Sequence, residues 1–299
     1  MLLVGQSNQG VAEVLIKISD AISLAVNLPS PADEDFLKLP GITFERYLQQ
    51  VVTNLDGGLI IALDEFEKIE ELIEAKKIDP DFMGFLRGLV QMSPKIAFAL
   101  AGLHTLEEMT EDYFHPFFAS IIPIRVSFLS QGATRQILAN PDDDFLLDYK
   151  PEAMDTIYEL TQGQPYLVQL IGFLLVRHYN DLVFEEGKPR DPFFTRDDVE
   201  AVINDPDFFI KGRYYFTGVW GQAAQGARGQ QEILKTLAPY REGLNFDRVM
   251  ESTNLDKTTL NNAIETLKRH DVIRETNGLY YIIVELFRRW VLVLIRRLG

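Results

Sequence analysis

The chain has 299 residues, 46% hydrophobic and 24% charged, with no cysteine and a formal net charge of −15. This is an ordinary globular composition, long enough for one large domain and a smaller one; it excludes disulfides, thiolate catalysis and cysteine zinc sites. From Arg228 onward, 12 Lys+Arg stand against 9 Asp+Glu, a net +3; the first 227 residues carry 17 against 35, a net −18, which argues against broad electrostatic binding of nucleic acid.

The chain opens Met1-Leu-Leu-Val4-Gly5-Gln-Ser-Asn-Gln-Gly10-Val11-Ala12. An apolar run followed by G-x-x-x-x-G is the frame of a phosphate-binding loop, but Val11 and Ala12 stand where that loop needs Lys and Ser or Thr. Val11 to Val26 has helical spacing (Val11, Val14, Leu15, Ile18, Ile22, Val26). Pro29, Pro31 and Pro40 mark a loop, and Ile42 to Leu55 a second helix ended by Asp56-Gly57-Gly58. Leu59-Ile-Ile-Ala-Leu63 is a short continuous apolar run, the pattern of a strand buried on both faces. Asp81 to Met92 reads as a helix and Lys95 to Ala101 as a second buried strand. Ile121 to Val126 is a third candidate strand, with an irregular start at Pro123. Helices alternating with buried strands predict an α/β layer fold with a mainly parallel sheet.

Beyond Ser130 the strands stop. Gln131 to Leu138, Pro151 to Thr161, Pro165 to Tyr179 and Thr195 to Ile203 predict a small helical bundle. Residues 205–228, rich in glycine, read as a connector. Gly229 to Pro239, Asn245 to Ser252 and Lys257 to His270 predict three helices, followed by a hairpin over Asp271 to Val284 with Asn277-Gly278 at its turn. Three helices and a hairpin predict a winged helix. The final apolar run to Leu298 is broken by Glu285, Arg288 and Arg289, so it reads as a core element and not a bilayer span. The start lacks a basic n-region and a small-residue cleavage site, so a cytoplasmic protein without a membrane partner is expected.

Leu59 to Leu63 runs directly into Asp64-Glu65-Phe66-Glu67. A buried strand of this kind delivers two carboxylates to the carboxyl edge of the sheet, where ligands bind in such folds. The first can hold Mg²⁺ and the second can polarise an attacking water; a solvated acidic turn would have the same sequence. Glu67, Glu70 and Glu71 continue as a helical face expected in solvent. The second strand ends Ala101-Gly102-Leu-His104-Thr105, where Thr105 also fits a helix N-cap. None of the four histidines has metal-ligand spacing to another.

The order LIIALDEFE, KIAFALAGLHTLEEM, DYFHPFF, IPIRVSFLS and ELTQGQPYLVQLIG, then a winged helix, resembles the AAA-like, STAND-type P-loop ATPases over nearly the whole chain. The resemblance implies an ATP- and Mg²⁺-dependent switch. Asp64 would then be the metal-holding carboxylate and Glu65 the catalytic one, with His104 or Thr105 at the sensor of the γ-phosphate. Gly163 and Pro165 would form the lid turn beside the adenine. Arg125 and Arg135 are arginine-finger candidates by location, and His270-Asp271 resembles a pair seen in some of these switches. The implied organisation is an α/β ATPase core over 1–129, a helical lid over 130–204, the connector, and a winged helix over 229–299.

In that fold a strand, a helix, a second strand and another helix precede the carboxylate strand. Between Gly10 and Leu59 there are two predicted helices and no strand, so Met1 to Gly5 is expected to be the second strand. The core is then N-terminally truncated: the phosphate loop and the first strand would lie upstream of Met1, and this chain would hold ATP weakly or not at all. A sheet without its central strand loses apolar burial at roughly 25 cal/mol per Å², and marginal stability follows. The alternatives are a winged-helix DNA-binding regulator, reading through Lys257, Thr258, Thr259, Asn261 and Asn262, and a protein-interaction scaffold with a relic core. Protein partners are expected; oligomeric state is left open.

Overall fold

The structure is a computed structural model that describes residues 7–102, 122, 124–139, 141–142 and 144–298. The chain divides into two compact units, Met1–Ile124 and Arg125–Gly299.

In the first unit, helix α1 (Ser7–Val26) packs on α2 (Asp33–Lys38) and α3 (Pro40–Asn54). The short α2 lies where the prolines predict only loop. Its first turn carries Asp33, Glu34 and Asp35 and its last turn Lys38, charges that suit the two ends of the helix dipole, and its Phe36 is fully buried. Pro40 opens α3 at a position where its missing N–H costs nothing. Tyr47 of α3 is buried, and its hydroxyl donates to the Leu28 carbonyl at 3.0 Å, tying the proline-rich loop to the helix behind it.

Strands β1 (Leu59–Leu63) and β2 (Ile96–Leu100) pair in parallel, Leu59 beside Ile96 through Leu63 beside Leu100. Between them lie α4 (Glu67–Glu74) and α5 (Asp81–Met92). The sheet departs from expectation in one respect. Ile61 and Ile96 are buried in the unit's core, but the alternate residues Ile60 (72% exposed), Ala62, Ala97 and Ala99 are exposed. The strands are thus buried on one face only, because the helices gather on the Ile61 side. The third predicted strand does not form among the described residues of 121–126: Ile122, Ile124 and Val126 are exposed and outside any strand.

The second unit holds α6 (Gln131–Ala139), α7 (Pro151–Thr161), α8 (Pro165–Asn180) continued by a π-helical turn (Asp181–Glu185), and α9 (Arg196–Ile203). Two-residue strands β3 (Asp148–Tyr149) and β4 (Phe193–Phe194) pair in parallel, and the buried Tyr149 and Phe194 rings meet with centroids 4.8 Å apart. The continuous helical stretch Pro165–Glu185 is long and apolar enough to cross a membrane by length and composition alone. Leu167, Val168, Ile171 and Leu175 on it are fully buried in the protein core, so it is the central helix of this unit.

Residues 205–228, predicted as a connector, are mostly helical: α10 (Phe208–Lys211) and α11 (Arg213–Gln225). Phe208 packs on Phe216, and Phe216 and Trp220 each pack on Trp290 of the last helix, α15 (Glu285–Leu298). The remaining elements follow in the order α12 (Gln230–Leu237), β5 (Leu244–Asn245), α13 (Phe246–Thr253), α14 (Lys257–Arg269), β6 (Ile273–Thr276) and β7 (Leu279–Ile282). The strands form an antiparallel sheet in the order β5-β7-β6. Asn277 and Gly278 between β6 and β7 both have positive φ, 53° and 76°, as a tight two-residue hairpin turn requires. One continuous core runs from Leu138 to Val291.

Candidate functional site

β1 ends at Leu63, and its ladder with β2 continues past both strand ends. The Ala101 amide donates to the Leu63 carbonyl at 2.9 Å, and the Phe66 amide donates to the Ala101 carbonyl at 2.9 Å. Phe66 is buried. Asp64 and Glu65 are therefore held in a two-residue turn between a paired strand and an anchored aromatic ring, and both are exposed. Glu65 adopts a left-handed backbone, φ 51°, a conformation that costs a non-glycine residue about 1 kcal/mol or more. Its amide donates to Asp64 Oδ1 at 2.9 Å, so the Asp64 carboxylate braces the turn.

Glu67 does not lie in solvent as its sequence pattern suggests. It is buried, and a Cβ added to Gly102 would collide with its Oε2. The Glu67 carboxylate thus lies against the end of β2, in a space that only glycine leaves there. Glu67 is the first residue of α4, one position after the buried Phe66, and no local sequence signal marks its burial. Glu71 is exposed and pairs with Lys68 at 3.0 Å, as expected of a solvated face.

Among the described residues no group of three or more His, Asp or Glu side chains could enclose a metal. Asp64 offers one exposed carboxylate at the sheet edge. Such a donor set does not fit a protein-built metal cage; it fits Mg²⁺ arriving with a phosphate ligand, which commonly uses one or two carboxylates, waters and phosphate oxygens.

His104 and Thr105 lie outside the described residues. Gly163 and Pro165 belong to the second unit. Thr161 ends α7, Gln162 (φ 51°) and Gly163 (φ 77°) turn left-handed, and Pro165 opens α8 under a cap from the Gln164 side chain to the Leu167 amide. Gly163 donates its amide to Thr161 Oγ1 at 3.2 Å and accepts the Leu129 amide at 2.8 Å. A Cβ at Gly163 would overlap the Leu129 carbonyl oxygen. Backbone packing alone thus requires this glycine. Arg125 donates to Asp271 Oδ1 at 2.8 Å, and Ser127 donates to Asp271 Oδ2 at 3.0 Å, which places this arginine-finger candidate at the corner between α14 and β6. Arg135 is exposed on α6.

Along β1 runs a groove of about 880 Å³, with apolar walls from Val14, Ile18 and Ile22 of α1 and Ile69 and Leu72 of α4; Asp64 and Glu65 are among its lining residues.

The architecture is similar to that of solved ATPases. The Walker-type ATPase PABY2304 of Pyrococcus abyssi superposes with a TM-score of 0.63 at 16% identity, over 96% of this chain and 79% of that one. The RuvB Holliday junction branch migration motor of Thermotoga maritima gives a TM-score of 0.38 at 13% identity, over 96% and 95% of the two chains. Cdc6p from Pyrobaculum aerophilum gives 0.37 at 14%, over 97% and 76%. No protein-family model and no curated protein matches the sequence. The fold is therefore similar to that of a Walker-type ATPase. At these identities the likeness speaks for the fold alone.

Proposed function

We propose that this chain is an AAA+-like, STAND-type ATP-binding switch protein in which Asp64 and Glu65 form the metal and water side of the nucleotide site. The observation that carries the reading is the braced, exposed carboxylate pair at the carboxyl edge of β1, stitched to the end of β2 through Phe66 and Ala101. The Walker-type fold supports it. In this reading Asp64 would hold the metal through water, and Glu65 would accept a hydrogen bond from the attacking water. Mg²⁺ bound with the nucleotide supplies charge neutralisation of the phosphates. His104 or Thr105 senses the γ-phosphate, and Gly163 and Pro165 contribute a lid turn.

The phosphate-cradling half is the weak part of this site. No G-x-x-x-x-G-K-[ST] occurs in the 299 residues. Ser7 to Ala12 are already helical, so the segment that mimics the motif cannot wrap its amides around a phosphate, and Val11 and Ala12 supply neither the Lys nor the hydroxyl. These residues alone should hold ATP weakly and turn it over slowly or not at all. Calorimetric titration with Mg·ATP checks this. A dissociation constant of about 1 mM or weaker is expected, near 4 kcal/mol of binding free energy; a low-micromolar value contradicts it.

The α12-β5-α13-α14-β6-β7 module is read as a winged helix, and residues 130–204 as the lid. A second reading, DNA binding through α14, draws on its exposed Lys257, Thr258, Asn261 and Asn262. Against it, Lys268 is engaged by Glu265 and Glu275 at 3.0 and 3.1 Å. Protein contacts in a cytoplasmic switch are the reading we favour. An electrophoretic shift with duplex DNA at low salt, abolished by Lys257→Glu, would reverse that preference; no shift is expected.

A further inference from the structure

Helix α8 buries one face and leaves another bare. Leu167, Val168, Ile171 and Leu175 fill the core of the second unit. On the other face Tyr166, Leu170, Phe173 and Arg177 follow one another at intervals of four, three and four residues, which is a single stripe along an α-helix. Phe173 is 64% exposed, and Arg177 is exposed beside it. Phe184, seven residues beyond Arg177 in the π-helical turn, is 77% exposed. The Tyr166 hydroxyl donates to the Lys211 carbonyl at 3.4 Å, so the corner between α10 and α11 lies beside that end of α8. The corner adds two more exposed apolar side chains, Ile210 and Tyr214 (69% exposed).

The stripe has a two-fold pattern. Tyr166 and Phe184 stand nine residues either side of Leu175, and Phe173 and Arg177 two residues either side. Laid antiparallel on a second copy about the level of Leu175, α8 sets Tyr166 against Phe184 of that copy. Phe173 then meets Arg177 of that copy, and a guanidinium and an aromatic face attract. The charges also match. The same register brings the exposed Glu185 of one copy to the end of α8 where Arg213 of the other lies. Arg213 meets the Tyr214 ring and hydroxyl. Among the described residues it meets no carboxylate, and Glu185 meets no cation. Self-complementarity of this kind is what an isologous contact requires, each pair occurring twice.

We propose that this face is a homodimer interface, with α8 packed antiparallel on α8 of a second copy and the α10–α11 corners closing its two ends. The area suffices. The rings of Tyr166 (37% exposed), Phe173, Phe184 and Tyr214, at about 200 Å² each when bare, offer about 500 Å² per copy. Two copies bury about 1,000 Å², the size at which specific contacts begin. Aromatic residues and arginine are the types enriched in such contacts. Two chains of net charge −15 repel one another at long range, and salt near the physiological level screens this beyond about 8 Å. The inference rests on the helix face and does not require the nucleotide reading.

Sedimentation velocity of the full chain in physiological salt, from micromolar to submillimolar concentration, tests it. The dimer should dominate at the upper end and give way to monomer on dilution. Phe173→Glu should raise the dissociation constant at least about tenfold. Arg213→Glu and Glu185→Arg should each weaken the dimer, and the two together should restore it. Orientation is read by crosslinking. Gln169 and Asp181 are equidistant from Leu175, so Gln169→Cys and Asp181→Cys are prepared separately in this cysteine-free chain, mixed and oxidised. Disulfides between the two variants should exceed those within either one. A monomer at every concentration overturns the proposal. So does a dimer indifferent to Phe173→Glu, a charge swap that fails to restore association, or disulfides formed chiefly within one variant. Should Phe173→Glu not fold, the charge swap and the crosslinks decide.

Discussion

At the scale of single residues, two glycines with the same backbone conformation separate two kinds of constraint. Gly163 and Gly278 both lie in the left-handed region, at φ 77° and 76°. A Cβ at Gly278 meets nothing within 4 Å, whereas one at Gly163 overlaps the Leu129 carbonyl. Gly278→Ala should therefore cost only the conformational term, about 1–2 kcal/mol. Gly163→Ala adds a backbone collision and should cost about 4 kcal/mol or more. Urea unfolding of the two variants checks the order, and equal losses would contradict it.

Asp198 supplies a second residue-scale test. It accepts both Arg190 guanidinium nitrogens at 2.6 and 2.7 Å and the Thr195 amide at 2.7 Å, closing a capping box on α9. Burial alone would raise its pKa, but Arg190 and the Thr195 donors outweigh that and lower it from 3.8 to about 2. A carboxylate with a lowered pKa stabilises the fold above its unfolded value, and the contribution disappears as pH falls from about 4 to about 2. Against Asp198→Asn, the wild type should be more stable at neutral pH by about 1–3 kcal/mol. The gap should close across that acid window in pH-dependent unfolding.

At the scale of elements, legibility followed the length of the periodic signal. β1, α5 and α7 fall on their predicted bounds because Gly58, Pro80 and Pro151 mark where an apolar run or helical face begins. Helix α2 was hidden by Pro29, Pro31 and Pro40, since one helical turn and a half carries too little periodicity to outweigh three breakers. The two-residue strands β3, β4 and β5 depend on partners remote in sequence and leave no local pattern. Helices α10 and α11 were masked by four glycines and by aromatic residues around the helix. Gly212 is needed there because a Cβ would press on the Phe216 ring and Leu170. Of the site, the Asp64-Glu65 pair and its strand were legible. The burial of Glu67 was not, because it follows from the end of β2 lying beside it.

At the scale of the whole molecule, the two units are built differently. The second rests on one continuous core from Leu138 to Val291, crossing both the predicted lid and the predicted winged helix. The first rests on a cluster centred on Phe36, Phe44, Tyr47 and Leu86 around a two-stranded sheet. The carboxylate pair belongs to the first unit and Gly163 to the second. The central claim is that Asp64 and Glu65 mark the metal edge of a nucleotide site, whatever the affinity. The direct measurement is paramagnetic broadening of amide signals by Mn²⁺·ATP, with Mn²⁺ standing in for Mg²⁺. The account predicts selective broadening at Asp64, Glu65 and Phe66, reaching Gly102 across the strand ends, and its loss in Asp64→Asn. Broadening centred elsewhere on the chain, or unchanged in Asp64→Asn, would contradict it.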